Sequence, residues 1–313
     1  MITAIQQVMQ HETAGDPMTG LKWTHKTTEK IARQLATAGI QVSRTTVGRL
    51  LKTMGFSLRV NHKNLASVSC EDRDAQFAHI HRIRETFTHT REPIISVDTK
   101  KKELVGNFKN PGVAWQDEPL QVKDHDFRSE AKGLAVPYGI YDLQANRGYV
   151  CGGNSRDTPE FAVDAIETWW RHEGKSRHPH AQRLLILADS GGSNSARSRL
   201  WKARLQEQLA DRHGLSVTVG HYPAGTSKWN PIEHRLFSAI SKNWAGRPLD
   251  SFETIVNYIR TTTTTTGLRV DACRLHKDYE KGVKISDKAM KALSITTDDT
   301  LLKGNYTITP RCR

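Results

Sequence analysis

The sequence predicts an α/β fold, a mixed sheet with helices on its faces, preceded by a small all-α region. The main observation is the element order after residue 93, where strand-like segments come first and then alternate with helix-like segments. A second observation is that residue patterning and charge differ along the chain. The first 65 residues combine short amphipathic segments with clustered positive charge. We therefore expect a helix-turn-helix region, a connector helix, an α/β domain and a basic C-terminal tail, at residues 1–65, 66–92, 93–266 and 267–313.

Bulk composition excludes several protein classes. With 37% apolar and 25% charged residues, the 313-residue chain is globular rather than disordered. No apolar run reaches the roughly 18 residues that a membrane span needs, and MITAIQQVMQHE lacks the pattern of a secretory signal. The cysteines form no CxxC pair, which argues against a disulfide scaffold or zinc site and favours a reducing cytosol. They are Cys70, Cys151, Cys273 and Cys312.

Positive charge is concentrated near the N-terminus. The formal net charge is +13 and the sequence pI is about 9.6, which indicates a polyanionic partner. Residues 20–63 contain nine Lys and Arg against one acid, Glu29, so this short stretch carries 9 − 1 = +8. A cluster of this kind is more typical of a nucleic-acid contact than of a protein that is merely basic and soluble.

Two short amphipathic helices are predicted over 28–38 and 44–54. Thr27 or Thr28 can cap the first and Ser43 the second, while Gly39 and Gly55 end them. Two helices joined by a tight glycine-containing turn are typical of a helix-turn-helix, and a plain helical hairpin with solvated charges is the alternative. Four polar residues lie off the apolar face of the second helix, where they can reach a major groove or phosphates. They are Arg44, Thr45, Arg49 and Lys52.

The remaining elements follow from apolar patterning and end signals. A connector helix over 71–88 has acids in its first turn, where the helix dipole favours them. Strands are predicted from β-branched and apolar runs at 93–100, 101–110, 134–143, 147–153, 183–189 and 215–223. Helices are predicted over 158–174, 195–214, 230–246 and 251–266, although six consecutive threonines weaken the last. Asn230 is the expected N-cap of its helix, with Pro231 in the first helical position.

Three carboxylates stand where strands end or helices begin. Asp98 lies inside the first strand, Asp189 ends LLILAD, and Glu233 lies in the first turn of the helix after the last strand. Each has a structural explanation on its own. Asp98 can pair with a neighbouring lysine, Asp189 can cap the following turn, and Glu233 occupies a favoured capping position.

Together the three carboxylates favour a metal site. Ligand sites of α/β sheets lie at the carboxyl ends of strands, so two strand-borne aspartates and one helix-borne glutamate can converge there. Packed carboxylates raise one another's pKa unless cations neutralise them, and Mg²⁺ prefers such oxygen ligands. Two ions about 3.5–4 Å apart can stabilise the attacking and leaving oxygens of a phosphoryl displacement. Gly191 and Gly192 after Asp189 would leave room for a phosphate backbone.

Several long segments resemble a known family. SVDTKKKELVGNFKNPG, DHDFRS, VPYGIYD, LILADSGGSN and HYPAGTSKWNPIEHRLFSAISKNWAG are similar to the Rhodopirellula-type DDE transposase domain of bacterial insertion sequences, and the likeness extends from about residue 15 to 310. The resemblance implies an RNase H-like five-stranded mixed sheet flanked by helices over 93–266. It also implies that Asp98, Asp189 and Glu233 are the catalytic, metal-binding DDE triad.

The family resemblance further implies the cofactor and the partners. It implies two Mg²⁺ ions, with Mn²⁺ as a substitute, that support cleavage at element ends and strand transfer into target DNA. The partners would be double-stranded DNA and further copies of the chain in a homo-oligomer on DNA, in the cytoplasm at the nucleoid and without a membrane. Family members usually begin well upstream with a further helix-turn-helix, so we expect an N-terminally truncated copy. They also tend to have glycine where this chain has Ser190.

Other residues are candidates for contacts around the triad. Lys100 and Lys228 are candidate DNA contacts, and Trp229 can stack on a distorted base. Asn194 can orient a phosphate or water, or can simply be a turn residue. The cluster of Asp124, His125 and Asp126 can contact substrate or orient the metal ligands by bonding to them, or can simply cap a loop.

Three functions are compatible with these features. The first is a DDE transposase that cleaves DNA and transfers strands. The second is a truncated DNA-binding remnant that no longer transposes, and the third is an RNase H-type nuclease without strand transfer. A plasmid-nicking assay separates the first from the second, and a strand-transfer assay with pre-nicked ends separates it from the third.

Overall fold

A computed structural model describes most of the chain. The described residues are 1–9, 13–15, 22–24, 26–58, 73–153, 156–298 and 304–311. Two compact units are present, Met1–Leu65 and Ala66–Arg313. The predictions for Cys70, Cys312 and the basic stretch after residue 58 lie outside the described residues.

The first unit packs three helices around a small core. The helices are α1 (Ile2–Met9), α2 (Thr28–Thr37) and α3 (Arg44–Thr53), and the strands are β1 (Thr13–Gly15) and β2 (Lys22–Thr24). Ile5, Ile31, Leu35 and Val47 are fully buried in this core. The all-α prediction needs correction, because β1 and β2 form an antiparallel pair.

Local signals determine the ends of α2 and α3. The Thr27 hydroxyl accepts from the Lys30 backbone N–H, and the Ser43 hydroxyl accepts from the Thr46 backbone N–H, each at 3.2 Å. Gly39 and Gly55 follow the helices with positive φ, at +81° and +84°, which L side chains rarely adopt. The two predicted helices are therefore present with the predicted start and stop signals.

The second unit is a mixed α/β domain. Its strands are β3 (Ile94–Thr99), β4 (Glu103–Val105), β5 (Gly133–Asp142), β6 (Arg147–Gly153), β7 (Arg183–Ala188), β8 (Ser216–His221), β9 (Arg269–Arg274), β10 (Ile295–Thr297) and β11 (Asn305–Ile308). Its helices are α4 (Arg73–His89), α5 (Pro159–Trp169), α6 (Lys175–Arg177), α7 (Arg199–Leu205), α8 (Ser238–Asn243), α9 (Phe252–Arg260) and α10 (Asp287–Lys291). No described helix is both long enough and apolar enough to cross a bilayer.

The strands form one mixed sheet in the order β10-β11-β8-β7-β3-β5-β6-β9, with β4 added to β5. Strands β3, β7 and β8 are parallel neighbours, whereas β5 is antiparallel to both β3 and β6. The sheet is thus larger than the five strands predicted. The predicted C-terminal tail is also corrected, because it supplies β9 beside β6 and β11 beside β8.

Helices cover both faces of this sheet. Trp169 of α5 and Trp201 of α7 are buried against one face, in a cluster that includes Val97 and Ile186. On the opposite face α8 and α9 bury a second cluster, and Ile80 and Phe87 of α4 pack over Leu185 and Leu187. Ile186 and Leu187 are both buried, one on each face of the sheet, because successive side chains of a strand point to opposite faces. The predicted connector helix is therefore packed on the domain, with an apolar stripe that is short but buried.

Candidate active site

The two aspartates reach the same edge of the sheet. Four buried residues precede Asp98 in β3, and Asp189 follows β7 directly. The strands are parallel, with Val97 opposite Ala188, so the next residue of each strand is one of the two aspartates. The register of β3 against β7 therefore brings Asp98 and Asp189 together at the carboxyl ends of both strands.

A buried polar cluster holds the Glu233 segment against β3. The Ser96 hydroxyl donates to the side-chain carbonyl of Asn230 and accepts from the Ile232 backbone N–H at 3.1 Å. Asn230 Nδ2 donates in turn to the Val97 carbonyl at 3.4 Å. The prediction that Asn230 is a plain N-cap is corrected, because its side chain bonds to β3 and the Ser96 hydroxyl takes up a helix N–H instead.

The three carboxylates influence one another electrostatically. Burial raises the pKa of Asp98 to about 8, with a further increase from the Asp189 charge and an opposing effect of the Thr99 backbone N–H. Burial also raises the pKa of Asp189, against a lowering by the Gly191 N–H. The pKa of Glu233 is raised by burial, and the Asp189 charge adds to this while His234 and Lys100 oppose it. Negative charge is thus concentrated at this edge beyond what nearby cations neutralise.

The donor set fits hard divalent ions. It consists of carboxylate oxygens, which Mg²⁺ and Mn²⁺ prefer, and its raised pKa values reflect a charge that a cation would compensate. Among the described residues, no three Asp, Glu, His or Cys side chains are already close enough to form a coordination cluster.

A cavity of about 410 Å³ opens beside the aspartates. It is lined by Asp98, Asp189, Lys101, Lys102 and the loop after β7. Gly191 and Gly192 of this loop are exposed. Gly192 has φ +59°, and a Cβ atom at either glycine would meet no atom closer than 3.8 Å. The loop thus leaves open space next to Asp189, as the glycines predict.

Ser190 and Asn194 anchor this loop to the protein. The Ser190 hydroxyl donates to the Tyr222 carbonyl at 2.7 Å, which ties the loop to the residue that follows β8. Asn194 is only 1% exposed, and its side-chain carbonyl accepts from the Tyr138 hydroxyl at 2.7 Å. The prediction that Asn194 orients phosphate or water is corrected, because its carbonyl oxygen is bound to Tyr138 inside the core.

Asp157 is a fourth carboxylate at the site that the sequence reasoning missed. Its side chain accepts from the Thr99 hydroxyl at 3.0 Å and lies 3.5 Å from Lys102 Nζ. Its charge raises the pKa of both Asp98 and Asp189. The available signal was its place, four residues after β6, which runs parallel to β3 and ends at the same sheet edge.

Lys100 is buried rather than available to DNA. Only 7% of its side chain is exposed, and its ammonium group lies 3.0 Å from Glu103 and 4.5 Å from the Trp244 ring centroid. Burial lowers the pKa of Lys100, partly offset by Glu103. The prediction that Lys100 contacts DNA is therefore corrected, whereas Lys101 and Lys102 beside it are exposed.

Trp229 is an exposed aromatic residue close to Glu233 in the chain. Its side chain is 44% exposed although it is a large apolar group. Lys228 Nζ lies 4.1 Å and the Arg73 guanidinium 5.1 Å from the centroid of its ring. Phe77 of α4 supports the ring at a centroid distance of 5.7 Å. The buried Asn230 follows immediately, so the exposed ring stands on a firmly held turn.

The acidic cluster at 124–126 lies on an exposed loop between β4 and β5. The side chains of Asp124 and His125 are 92% and 64% exposed, and they form a 3.7 Å contact with each other. No described contact joins Asp124, His125 or Asp126 to Asp98, Asp189 or Glu233, so their support of the site stays a prediction. The positions are compatible with the alternative, a loop structure.

The candidate DNA-contacting residues of α3 lie on its outer face. Arg44, Thr45, Arg49 and Lys52 are exposed, while Val47 between them is fully buried. The helix thus presents three cationic residues and a threonine on the side opposite to the core of the first unit.

Comparison with known protein families identifies one family. Residues 4–310 match the family described as Rhodopirellula transposase DDE domain. No curated protein matches the chain. Similar solved structures include the Mos1 transposase paired-end complex with left transposon end, at 14% identity over 83% of this chain and 69% of that chain, with a TM-score of 0.46. Another is the pre-cleavage Mos1 transpososome, at 13% identity over 83% and 70%, with a TM-score of 0.45.

Proposed function

The chain belongs to the Rhodopirellula transposase DDE domain family, and from that premise we propose that it cleaves DNA phosphodiesters and transfers the freed strand into target DNA. Asp98, Asp189 and Glu233 are the catalytic triad of this proposal. The observation that carries it is the placement of Asp98 and Asp189 at one sheet edge by two parallel strands, with Glu233 at the start of the helical segment Glu233–Phe237. The pKa values of all three carboxylates are raised, mainly by burial. Carboxylates that are purely structural seldom accumulate unneutralised charge in this way.

The triad would hold two Mg²⁺ ions, with Mn²⁺ as a substitute. When bound, such ions neutralise the carboxylates and stabilise the attacking and leaving oxygens of an in-line displacement. The chain contributes rigidity, because β3 and β7 are interior strands and Ser96 binds the Glu233 segment to β3. Gly191 and Gly192 leave room for the phosphate backbone next to Asp189.

DNA binding would use exposed groups of both units. On α3, Arg44 and Arg49 would contact the duplex, with Thr45 and Lys52 beside them. Beside the triad, Lys228 would contact a phosphate and the Trp229 ring would stack on an exposed base. Strand transfer also requires two element ends to be held together, which favours a homo-oligomer on DNA.

A supercoiled-plasmid nicking assay with Mg²⁺ tests this function. We expect nicking by the wild-type chain, its loss in Asp189→Asn, and unchanged nicking in Asp117→Asn, where the exposed aspartate lies on the β4–β5 loop. Nicking that survives in Asp189→Asn would disprove the triad assignment. Binding to element ends without any nicking would instead favour the DNA-binding remnant.

Strand transfer separates a transposase from a nuclease. Pre-nicked DNA taken from the sequence that flanks the gene supplies a free 3′-hydroxyl, so only the joining step remains. We expect joint molecules with a target plasmid when Mg²⁺ is present. Nicking without joint molecules would favour an RNase H-type nuclease.

A further inference from the structure

A second cavity adjoins the triad, and a segment without an assigned role forms part of its wall. This segment, residues 275–286, connects β9 to α10 and is called the strap below. At its start the Leu275 N–H donates to the Gly152 carbonyl at 3.0 Å, and the buried Tyr279 donates to Asp164 at 3.0 Å. At its end Arg199 donates to the Ile285 carbonyl at 3.2 Å. The strap is therefore held to the domain on both sides of its middle part.

The middle part of the strap encloses a cavity of about 510 Å³. Residues 280–285 form one side, and the starts of α5 and α7 form the other. The volume lies within the roughly 300–1,000 Å³ that is usual for ligand sites. Asp157 lines this cavity and also the cavity of about 410 Å³ that contains Asp98 and Asp189. The two cavities are therefore neighbours on either side of one side chain.

The chemistry of the strap suits phosphate. Lys281 and Lys284 are exposed, and neither forms an ion pair with another described residue. Between them Gly282 has φ +77° and open space where a Cβ atom would stand, which allows a close approach to the backbone. Two acids are nearby, but Asp157 already has Lys102 as a partner, and Glu280 is exposed. The lysine ammonium groups are thus available as point charges for an anion.

We propose that the strap cavity holds the phosphodiester backbone of the DNA strand as it continues away from the scissile phosphate, with Lys281 and Lys284 contacting its phosphates. The inference rests on the proposed function, because it takes the neighbouring cavity as the place of cleavage. A strand that crosses the carboxylates must continue on one side of them, and the strap is a firmly anchored, cation-bearing wall adjoining Asp157. The lysines also offset the repulsion between DNA and the acidic site.

The salt dependence of DNA binding tests this proposal with the full chain. The double variant Lys281→Gln/Lys284→Gln is compared with Lys288→Gln/Lys291→Gln, which removes the same charge from the exposed surface of α10. The probe is a nicked 30-base-pair duplex without divalent metal. The slope of log K against log salt is negative, and we expect its magnitude to decrease by about 1.8 in the strap variant, since each duplex phosphate contact contributes about 0.9. The α10 variant should retain the wild-type slope.

Site-directed cross-linking locates the contact. A Lys281→Cys variant is mixed with nicked duplexes that carry a thiol tether on single phosphates, and Lys288→Cys serves as the control. We expect disulfide cross-links from Lys281→Cys to phosphates on one side of the nick only. Equal cross-linking of both variants, or equal slopes of both double variants, would show unspecific attraction and overturn the proposal.

The outcomes also separate this proposal from the proposed function. If the wild type nicks plasmid but the strap variant keeps the wild-type salt slope of DNA binding, the strap inference is wrong while the proposed function stands. If the wild type never nicks but the strap variant loses slope, the proposed cleavage fails while the DNA contact stands. A third outcome is that a mononucleotide binds, that the strap substitutions abolish this binding, and that the salt slope of DNA binding stays unchanged. In that case the cavity is a nucleotide site and the strand proposal is overturned.

Discussion

The Ser96 side chain donates a hydrogen bond to the side chain of Asn230, and both residues are fully buried. Ser96 precedes Asp98 by two residues in β3, and Asn230 precedes Glu233 by three. One buried polar contact therefore connects the strand that carries the first carboxylate to the turn that positions the last. The relative placement of these two carboxylates depends on it.

Replacing Ser96 by alanine should loosen this connection. Ser96→Ala leaves the buried Ile232 N–H and the Asn230 carbonyl without a partner, and an unsatisfied buried group costs about 1–3 kcal/mol of unfolding free energy. Urea unfolding measures the loss, and nicking well below the unfolding midpoint should fall as well. Thr218→Val, which removes the half-buried contact to Thr307, is the control and should leave nicking intact. Undiminished nicking in Ser96→Ala would separate the contact from the triad.

Neutralising Asp98 should stabilise the metal-free protein. Its pKa is raised from 3.8 to about 8, so the folded protein favours the protonated carboxyl. The contribution of Asp98 to the free energy of unfolding is therefore complete below pH 4 and is lost as the pH rises to 8. We therefore expect Asp98→Asn to raise the free energy of unfolding at pH 8 by on the order of 2 kcal/mol, with little gain at pH 4. Urea titrations across this pH range in EDTA measure it, with Asp117→Asn as the control. A variant less stable than the wild type at pH 8 would contradict the expected charge repulsion.

Divalent metal should stabilise the wild type through the same carboxylates. At 100 times its dissociation constant, Mg²⁺ or Mn²⁺ adds about 2.7 kcal/mol to the free energy of unfolding. The raised pKa of Asp98 means that binding displaces a proton, so affinity should increase from pH 6 to pH 8. Thermal unfolding with and without metal measures both effects. An equal shift in Asp98→Asn would place the ion elsewhere.

Trp229 should contribute to DNA binding but little to stability. Its ring is 44% exposed, and aromatic–base stacking contributes about 1–3 kcal/mol per base, so Trp229→Ala should weaken binding of nicked DNA by roughly 5- to 150-fold. Trp229→Phe should retain most of the affinity. Trp115→Ala, which removes a fully exposed tryptophan, should not change it. Fluorescence anisotropy measures the affinities, and equal losses in Trp229→Ala and Trp115→Ala would argue against stacking.

Cys273 should react at neutral pH. The sulfur atoms of Cys273 and Cys151 lie 3.4 Å apart on adjacent strands, and this contact lowers the pKa of Cys273 from 9 to about 7. Iodoacetamide attacks the thiolate, so alkylation of Cys273 should reach half its maximal rate near pH 7. Mass spectrometry follows the residue. In Cys151→Ala the midpoint should move upward towards the ordinary thiol value, and an unchanged midpoint would exclude Cys151 as the cause.

Local chemistry determined much of this protein from the sequence alone. Thr27 and Ser43 cap the helices that they were predicted to cap, because a cap depends on residues three positions apart. The main strands and helices follow from apolar periodicity, which is also a short-range property. The family was evident from long sequence segments.

Only the tertiary structure decided which side chains meet. It buried Lys100 beside Glu103 and Trp244, directed the Asn230 side chain to β3, and brought Asp157 next to Asp98. It also added β9 beside β6 and β11 beside β8, where a strand of four to six residues is stabilised by its neighbour more than by its own composition. These contacts join residues separated by tens of positions or more, and burial and strand pairing at that range depend on the packed whole rather than on any local pattern.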